Sequence, residues 1–387
     1  MAARLRIVSV SAALLVVLFG AQAGAHVRPT LGLLPDGDTR PVVHSAILQA
    51  PHALDPLLEA RVDIDASDND AIARYEYRWI GTGTGMARAM NVRQPRVSYA
   101  SIRPDAPFTL EVRAVDIHNN ASDWFEAWKG TTPSPPRVIV AGDSIASGYT
   151  RDWFTGDATC RSNSLSYGST IVAEMAKVLP SAWAPTYSNI AWAGAGVGNM
   201  LAGGDDSCGE THASQVAQIG QLARSTWNIV VITAGINTTN WTDVMVDLTK
   251  DTAVSMTKDG DRKACDLALH ETWDIDETGP VVARTTRKIV RELRDETNAS
   301  VYWTGYHDIV GTRLAPGWSP VGTECTDELD EALNALHGAI RTGLGPEATW
   351  IDIDGSITTQ DWAGWPHPDA AGHAAIGRLI AKAILES

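Results

Sequence analysis

The feature that most constrains the fold of this chain is a change of rhythm at Arg137. From there onward short apolar runs recur at Arg137–Ala141, Thr186–Trp192, Asn228–Ala234, Ser300–Thr304 and Thr349–Ile353. Each is followed, near or far, by a stretch with helical periodicity. The last such stretch, Asp369–Leu385, sets Ile376, Leu379, Ile380 and Ile384 on one helix face. Strands separated by helices imply a parallel sheet covered on both faces. Ligands of such sheets bind beyond the carboxyl ends of the strands, so the chemistry is sought there.

Upstream of Arg137 the period is two. Charged and apolar residues mostly alternate over Leu58–Ile64, and Tyr75, Tyr77 and Trp79 fall on alternate positions. Phe108, Leu110, Val112 and Ala114 do the same, as half-buried strands require. An all-β sandwich domain with an N-terminal extension is expected over 26–132. Its closing segments, Phe108–Asp116 and Asn119–Trp124, resemble those of fibronectin type III or immunoglobulin-like domains. Prolines at 133, 135 and 136 make 133–136 a stiff linker.

The first 25 residues read as a signal peptide. Arg4 and Arg6 precede an apolar run, Ile7–Phe19, and Ala23-Gly24-Ala25 is a small-x-small cleavage site. The run is short of the roughly 20 residues needed to span a bilayer, so a secreted protein without a stable membrane anchor is expected. A formal net charge of −15 argues against nucleic acid as a partner. Four cysteines in an exported chain are expected to pair, and the sequence alone allows three pairings. No spacing suggests a metal, and Asp63, Asp65, Asp68 and Asp70 lack the glycine and glutamate of a calcium loop. The histidines at 212, 270, 307 and 337 stand in no motif and are read as surface residues.

Four short blocks stand at the ends of expected strands or just before the last helix. Gly142-Asp143-Ser144 closes the first strand of the α/β region, and Gly194 follows the second. Gly235-Ile236-Asn237 follows the third, and His367-Pro368 precedes the last helix with Gly372-His373 just after. Over 137–387 these blocks, in this order, resemble the SGNH (GDSL-type) serine hydrolases, and Cys160-Arg161-Ser162 looks like the secreted actinobacterial lipases and esterases of that family. The resemblance implies a flavodoxin-like three-layer α/β/α domain with strand order 2-1-3-4-5. It implies Ser144 as nucleophile and His367 as general base. The oxyanion hole would be made by the amides of Ser144 and Gly194 and the carboxamide of Asn237.

In that strand order the loops after strands one and two are neighbours, as are those after three and four. The disulfides Cys160–Cys208 and Cys265–Cys325 are therefore expected. No cofactor is implied, and a monomer is expected. The substrate would be an ester, either an acyl lipid or an acylated carbohydrate, and a polysaccharide O-acetyl esterase is the alternative enzyme. The alternative of another class is a binding protein on a degenerate hydrolase scaffold.

The chain departs from the family pattern twice. Thr238 replaces an aspartate in the third block, which should touch loop support more than catalysis. Gly364 stands where a supporting aspartate precedes the histidine by three. His367 would then be steadied by a backbone carbonyl of Gly364 or Trp365, giving a Ser–His dyad, or by Asp361 as third member. Asp369 is expected to cap the last helix, and His373 to pack inside it. Tryptophans 153, 192, 241, 318, 362 and 365 fall in expected loops and either line a substrate site or wall it off.

Overall fold

The computed structural model describes residues 39–49, 58–81, 85–151, 158–239, 275–307, 323–357, 362–364 and 367–387. The expected signal peptide, Cys265, His270, Asp361 and Trp365 lie outside them, as do Trp153, Trp241 and Trp318.

Two antiparallel sheets come first. Strands β1 (Val42–Leu48), β2 (Glu59–Ser67) and β5 (Arg96–Ser98) form one, in the order β1-β2-β5. The other contains β3 (Ile72–Ile80), β4 (Arg88–Met90), β6 (Pro107–Asp116) and β7 (Phe125–Thr131), in the order β4-β3-β6-β7. The period-two pattern explains their packing. Ala60 and Val62 of the first sheet and Tyr75, Tyr77, Trp79, Leu110, Val112 and Ala114 of the second all turn into one apolar core. Asp63 and Asp65 lie in β2 itself, paired to β1.

The remainder is α/β. Strands β8 (Arg137–Gly142), β9 (Thr186–Asn189), β10 (Asn228–Thr233), β11 (Ser300–Thr304) and β12 (Thr349–Ile351) form a five-stranded parallel sheet in the order β9-β8-β10-β11-β12. In chain order that is 2-1-3-4-5. All of β10 and all but the first residue of β8 are buried, so both sheet faces are covered. The covering helices are α1 (Ser144–Ser147), α2 (Tyr167–Val178), α3 (Val197–Ala202), α4 (Gln215–Leu222), α5 (Ile275–Glu296), α6 (Thr323–Leu344) and α7 (Ala370–Glu386). They divide into two groups: α2 packs on α7, while α3, α4 and α6 gather around α5. Among the described residues no helix is long and apolar enough to cross a membrane.

The segment between the antiparallel sheets and β8 is held at both ends. The carbonyl of Pro133 accepts from Asp105 N–H at 3.2 Å. The amide of Ser134 donates to Thr226 Oγ1 at 2.8 Å, and Ser225 Oγ donates to the Pro135 carbonyl at 3.1 Å. A larger contact accompanies it. Trp183, just before β9, is fully buried and its Nε1 donates to the Ile102 carbonyl at 3.0 Å, while its ring meets Tyr99 edge-on.

Candidate active site

Ser144 is placed by the backbone before it. Gly142 ends β8 with φ +121°, and a Cβ there would lie 1.9 Å from the Thr233 carbonyl oxygen of β10. Only glycine lets the two strands run this close at the turn. Asp143 then caps α1, its Oδ1 accepting from Ile145 N–H at 3.0 Å. Ser144 is thus the first helical residue, half-buried at the carboxyl edge of the sheet, with its side chain at a helix N-terminus.

The second block is fastened to the first. Trp192 N–H donates to the Gly142 carbonyl at 3.2 Å, and Asn189 Nδ2 donates to the Ser147 carbonyl at 3.1 Å. The chain turns at Gly194, φ +89°, where a Cβ would come within 2.8 Å of Ser207 Oγ. Gly194 is therefore a tight-turn glycine whose conformation also turns its amide. Among the described residues no backbone hydrogen bond uses the amides of Ser144 or Gly194.

Asn237 lies in the short 3-10 turn Ile236–Thr238 after β10. Its Nδ2 donates to the Ala195 carbonyl at 3.3 Å, which aims the carboxamide and leaves its second N–H for another acceptor. Thr238 supports the same two loops: its Oγ1 accepts from Val197 N–H at 2.9 Å, at the start of α3. Thr238 therefore joins the third block to the second.

His367 stands in an antiparallel hairpin in which Trp362–Gly364 pairs with His367–Pro368, Gly364 directly opposite His367. Helix α1 packs against this hairpin, and the Tyr149 ring stands edge-on to the imidazole with centroids 4.6 Å apart. Burial, and then the neighbouring His373, push the His367 pKa down to about 3, so the ring is neutral. Ser144 and His367 share no direct hydrogen bond among the described residues. His367 Nδ1 is buried without a partner among the described residues. Trp365 and Asp361 lie outside the described residues.

The competing groups fall elsewhere. Asp369 caps α7, its Oδ1 accepting from Gly372 N–H at 2.8 Å. His373 is buried within α7, where burial pushes its pKa down to about 4. The reading of the remaining histidines as surface residues is corrected for those described. His307 is fully buried just beyond β11, and His337 is buried on α6, where it accepts from Tyr306 N–H at 2.9 Å. His212 is half-buried, stacked on Trp192 and bonded to Asp206 at 2.8 Å. Neither helix nor strand periodicity marked these positions, because each is buried by a tertiary neighbour. Trp192 is itself buried.

Cys160 and Cys208 are joined by a disulfide with Cα atoms 6.2 Å apart, tying the loop after α1 to the turn after Asp206. Cys265 lies outside the described residues, so the second expected bridge does too. Asp206, Glu210 and His212 bring ligand atoms within 4.8 Å of one another. Two of these side chains are already engaged: Asp206 Oδ1 accepts from the amides of Cys208 and Glu210, and Oδ2 binds His212. Burial would raise the Asp206 pKa, but the His212 bond and those amides outweigh it and hold it low.

Two supporting residues were invisible in the sequence. Gln215, fully buried at the start of α4, accepts from Gly142 N–H at 2.6 Å and donates to the Gly142 carbonyl at 2.8 Å. Tyr306, beyond β11, donates to Asp143 Oδ2 at 2.5 Å. Burial raises the Asp143 pKa to about 7 against the opposing pull of Tyr306 and the α1 amides.

No protein-family model matches the chain, and no curated protein matches it. Among solved structures it is similar to an extracellular lipase from Streptomyces rimosus, at 17% identity over 65% of this chain and 99% of that one, TM-score 0.41. It is similar to phospholipase A1 from Streptomyces albidoflavus NA297, at 18% identity over 65% and 98%, TM-score 0.39. A carbohydrate acetylesterase from Sinorhizobium meliloti matches at 14% identity over 65% and 99%, TM-score 0.38.

Proposed function

We propose that this chain is an exported carboxylic-ester hydrolase of the SGNH type that works through an acyl-enzyme on Ser144, its N-terminal antiparallel sheets forming a fibronectin- or immunoglobulin-like sandwich. The observation that carries the reading is the convergence of the Ser144 turn, the Gly194 turn and the Asn237 carboxamide at one sheet edge, with a neutral His367 beside α1. Ser144 Oγ attacks the ester carbonyl while His367 Nε2 takes its proton. The resulting oxyanion accepts from the amides of Ser144 and Gly194 and from the second N–H of Asn237. His367 returns the proton to the leaving alkoxide, the alcohol departs, and a water repeats the sequence to release the acid. None of these steps calls for a metal or a cofactor.

A fluorophosphonate probe tests this reading. Covalent labelling of the full chain, lost in Ser144→Ala, is the expected result. A well-folded protein that takes no label would favour the binding-protein alternative. Hydrolysis rates over p-nitrophenyl esters of graded chain length and over acetylated xylan then separate an acyl-lipid substrate from an acetylated carbohydrate.

A further inference from the structure

We propose that the hydroxyl of Tyr306 is a positioning group that fixes the distance between the nucleophile turn and the Asn237 donor of the oxyanion hole. The inference rests on the ester-hydrolase reading above and adds to it a residue outside the four sequence blocks. Tyr306 follows β11, which is separated from β8 by β10, so its ring reaches beneath the loops of two other strands. Its oxygen makes two bonds there. It donates to Asp143 Oδ2 at 2.5 Å and accepts from Ile236 N–H at 3.0 Å. Asp143 immediately precedes Ser144, and Ile236 immediately precedes Asn237. One atom therefore spans the two loops that carry oxyanion donors, one residue away from the donor at each end.

The tyrosine is itself held rigidly. Its backbone amide donates to His337 Nε2, and its ring stacks on the His337 imidazole at 6.2 Å with planes 6° apart. His337 meets Trp350 edge-on, and the preceding Gly305 N–H bonds to the Ile351 carbonyl at 3.1 Å. Strand β12 and helix α6 thus fix the ring, and the ring fixes the loops. Tyr306 is buried, which pushes its pKa well above the usual tyrosine value and keeps the hydroxyl a donor. Asp143 uses its other oxygen on Ile145 N–H and its own amide on the Thr233 carbonyl, so Tyr306 is the link from the Asp143 carboxylate to the third block.

The arrangement acts on the oxyanion and not on the substrate's ground state. Loss of the hydroxyl leaves Asp143 short of a donor and Ile236 N–H short of an acceptor, and lets the two loops relax independently. A displacement on the order of 1 Å at reacting groups can cost about 100-fold in rate. Loss of an interaction made only in the transition state lowers kcat and kcat/KM together.

The test uses the full chain with Tyr306→Phe, which keeps the ring and removes the oxygen. Fluorophosphonate labelling rate and steady-state hydrolysis of p-nitrophenyl acetate are measured beside far-UV circular dichroism. The expected result is a folded protein with kcat reduced about 10- to 100-fold, KM little changed, and labelling slowed in proportion. In an Asn237→Ala background the same substitution should cost markedly less, because the donor it positions is gone. Wild-type kcat in the folded variant, or equal losses in both backgrounds, overturns the proposal. If the wild-type chain takes no label, it is the ester-hydrolase reading that fails instead. Should Tyr306→Phe not fold, 4-aminophenylalanine at 306 keeps a donor to Asp143 while offering Ile236 N–H a poor acceptor. That protein should also lose kcat at constant KM, and unchanged kinetics would again overturn the proposal.

Discussion

At the scale of single residues the base is governed by what surrounds its ring. Activity needs the neutral imidazole, so kcat/KM falls when pH drops through the His367 pKa. Burial first, and His373 second, push that pKa down to about 3 from its ordinary value of 6.5. The acid limb of kcat/KM for a soluble ester should therefore lie well below pH 6.5, as far down as the protein stays folded. A limb centred at 6.5 would mean that the titrating base is solvated and is not this histidine. The hairpin offers a second arm to the same experiment. Gly364 is paired directly opposite His367, and side chains so placed have Cβ atoms about 4.5–5.5 Å apart. Gly364→Asp puts a carboxylate there, which favours the charged imidazole and should move the acid limb toward neutral pH. No movement would show that position 364 does not face the ring.

Elements, taken as units, explain which parts of the site could be read from the chain. Ser144, Gly194, Asn237 and His367 each sit in a short block at a strand end or just before the last helix, so motif order alone could single them out as candidates. Thr238 could be assigned to loop support for the same reason, since it adjoins Asn237. Gln215 and Tyr306 could not be found this way. Their partners lie 73 and 163 residues away, and only the placement of α4 and β11 beside β8 and β10 brings them together. Gln215 should matter for stability. Gly142 N–H donates its hydrogen bond to Gln215 Oε1, whereas the Gly142 carbonyl also accepts from Trp192 N–H. Gln215→Leu orphans the buried amide while leaving the carbonyl one partner. The expected loss is about 1–3 kcal/mol in urea unfolding, the cost of an unsatisfied buried donor. An unchanged midpoint and slope would mean that the strand end finds another acceptor.

Across the whole molecule, the period-two and strand-helix rhythms located both halves, yet neither rhythm announces how the halves meet. That contact depends on Trp183, in a short turn that has no periodicity of its own. Its buried ring lies edge-on to Tyr99, 6.3 Å between centroids, and Tyr99 in turn lies 4.9 Å from Trp79 in β3. An aromatic chain thus runs from the core of the antiparallel sheets to the edge of the parallel sheet, with the Trp183 indole bonded to the Ile102 carbonyl. All the residues argued to act in catalysis come after Pro136, so a protein beginning at Pro135 should retain its chemistry on small soluble esters. It should not retain its stability, because the truncation uncovers Trp183 and leaves its N–H without the Ile102 acceptor. Trp183→Ala in the full chain isolates that contribution. Large-to-small changes of buried aromatics cost about 3–5 kcal/mol, and a loss of that size is expected in chemical denaturation. The truncated protein should melt earlier than the full chain and bind a hydrophobic dye, while its turnover per fluorophosphonate-labelled serine stays close to that of the full chain. A truncated protein as stable as the full chain would show the contact to be incidental. One that is folded and labelled but inert would mean that the antiparallel sheets reach into the active site.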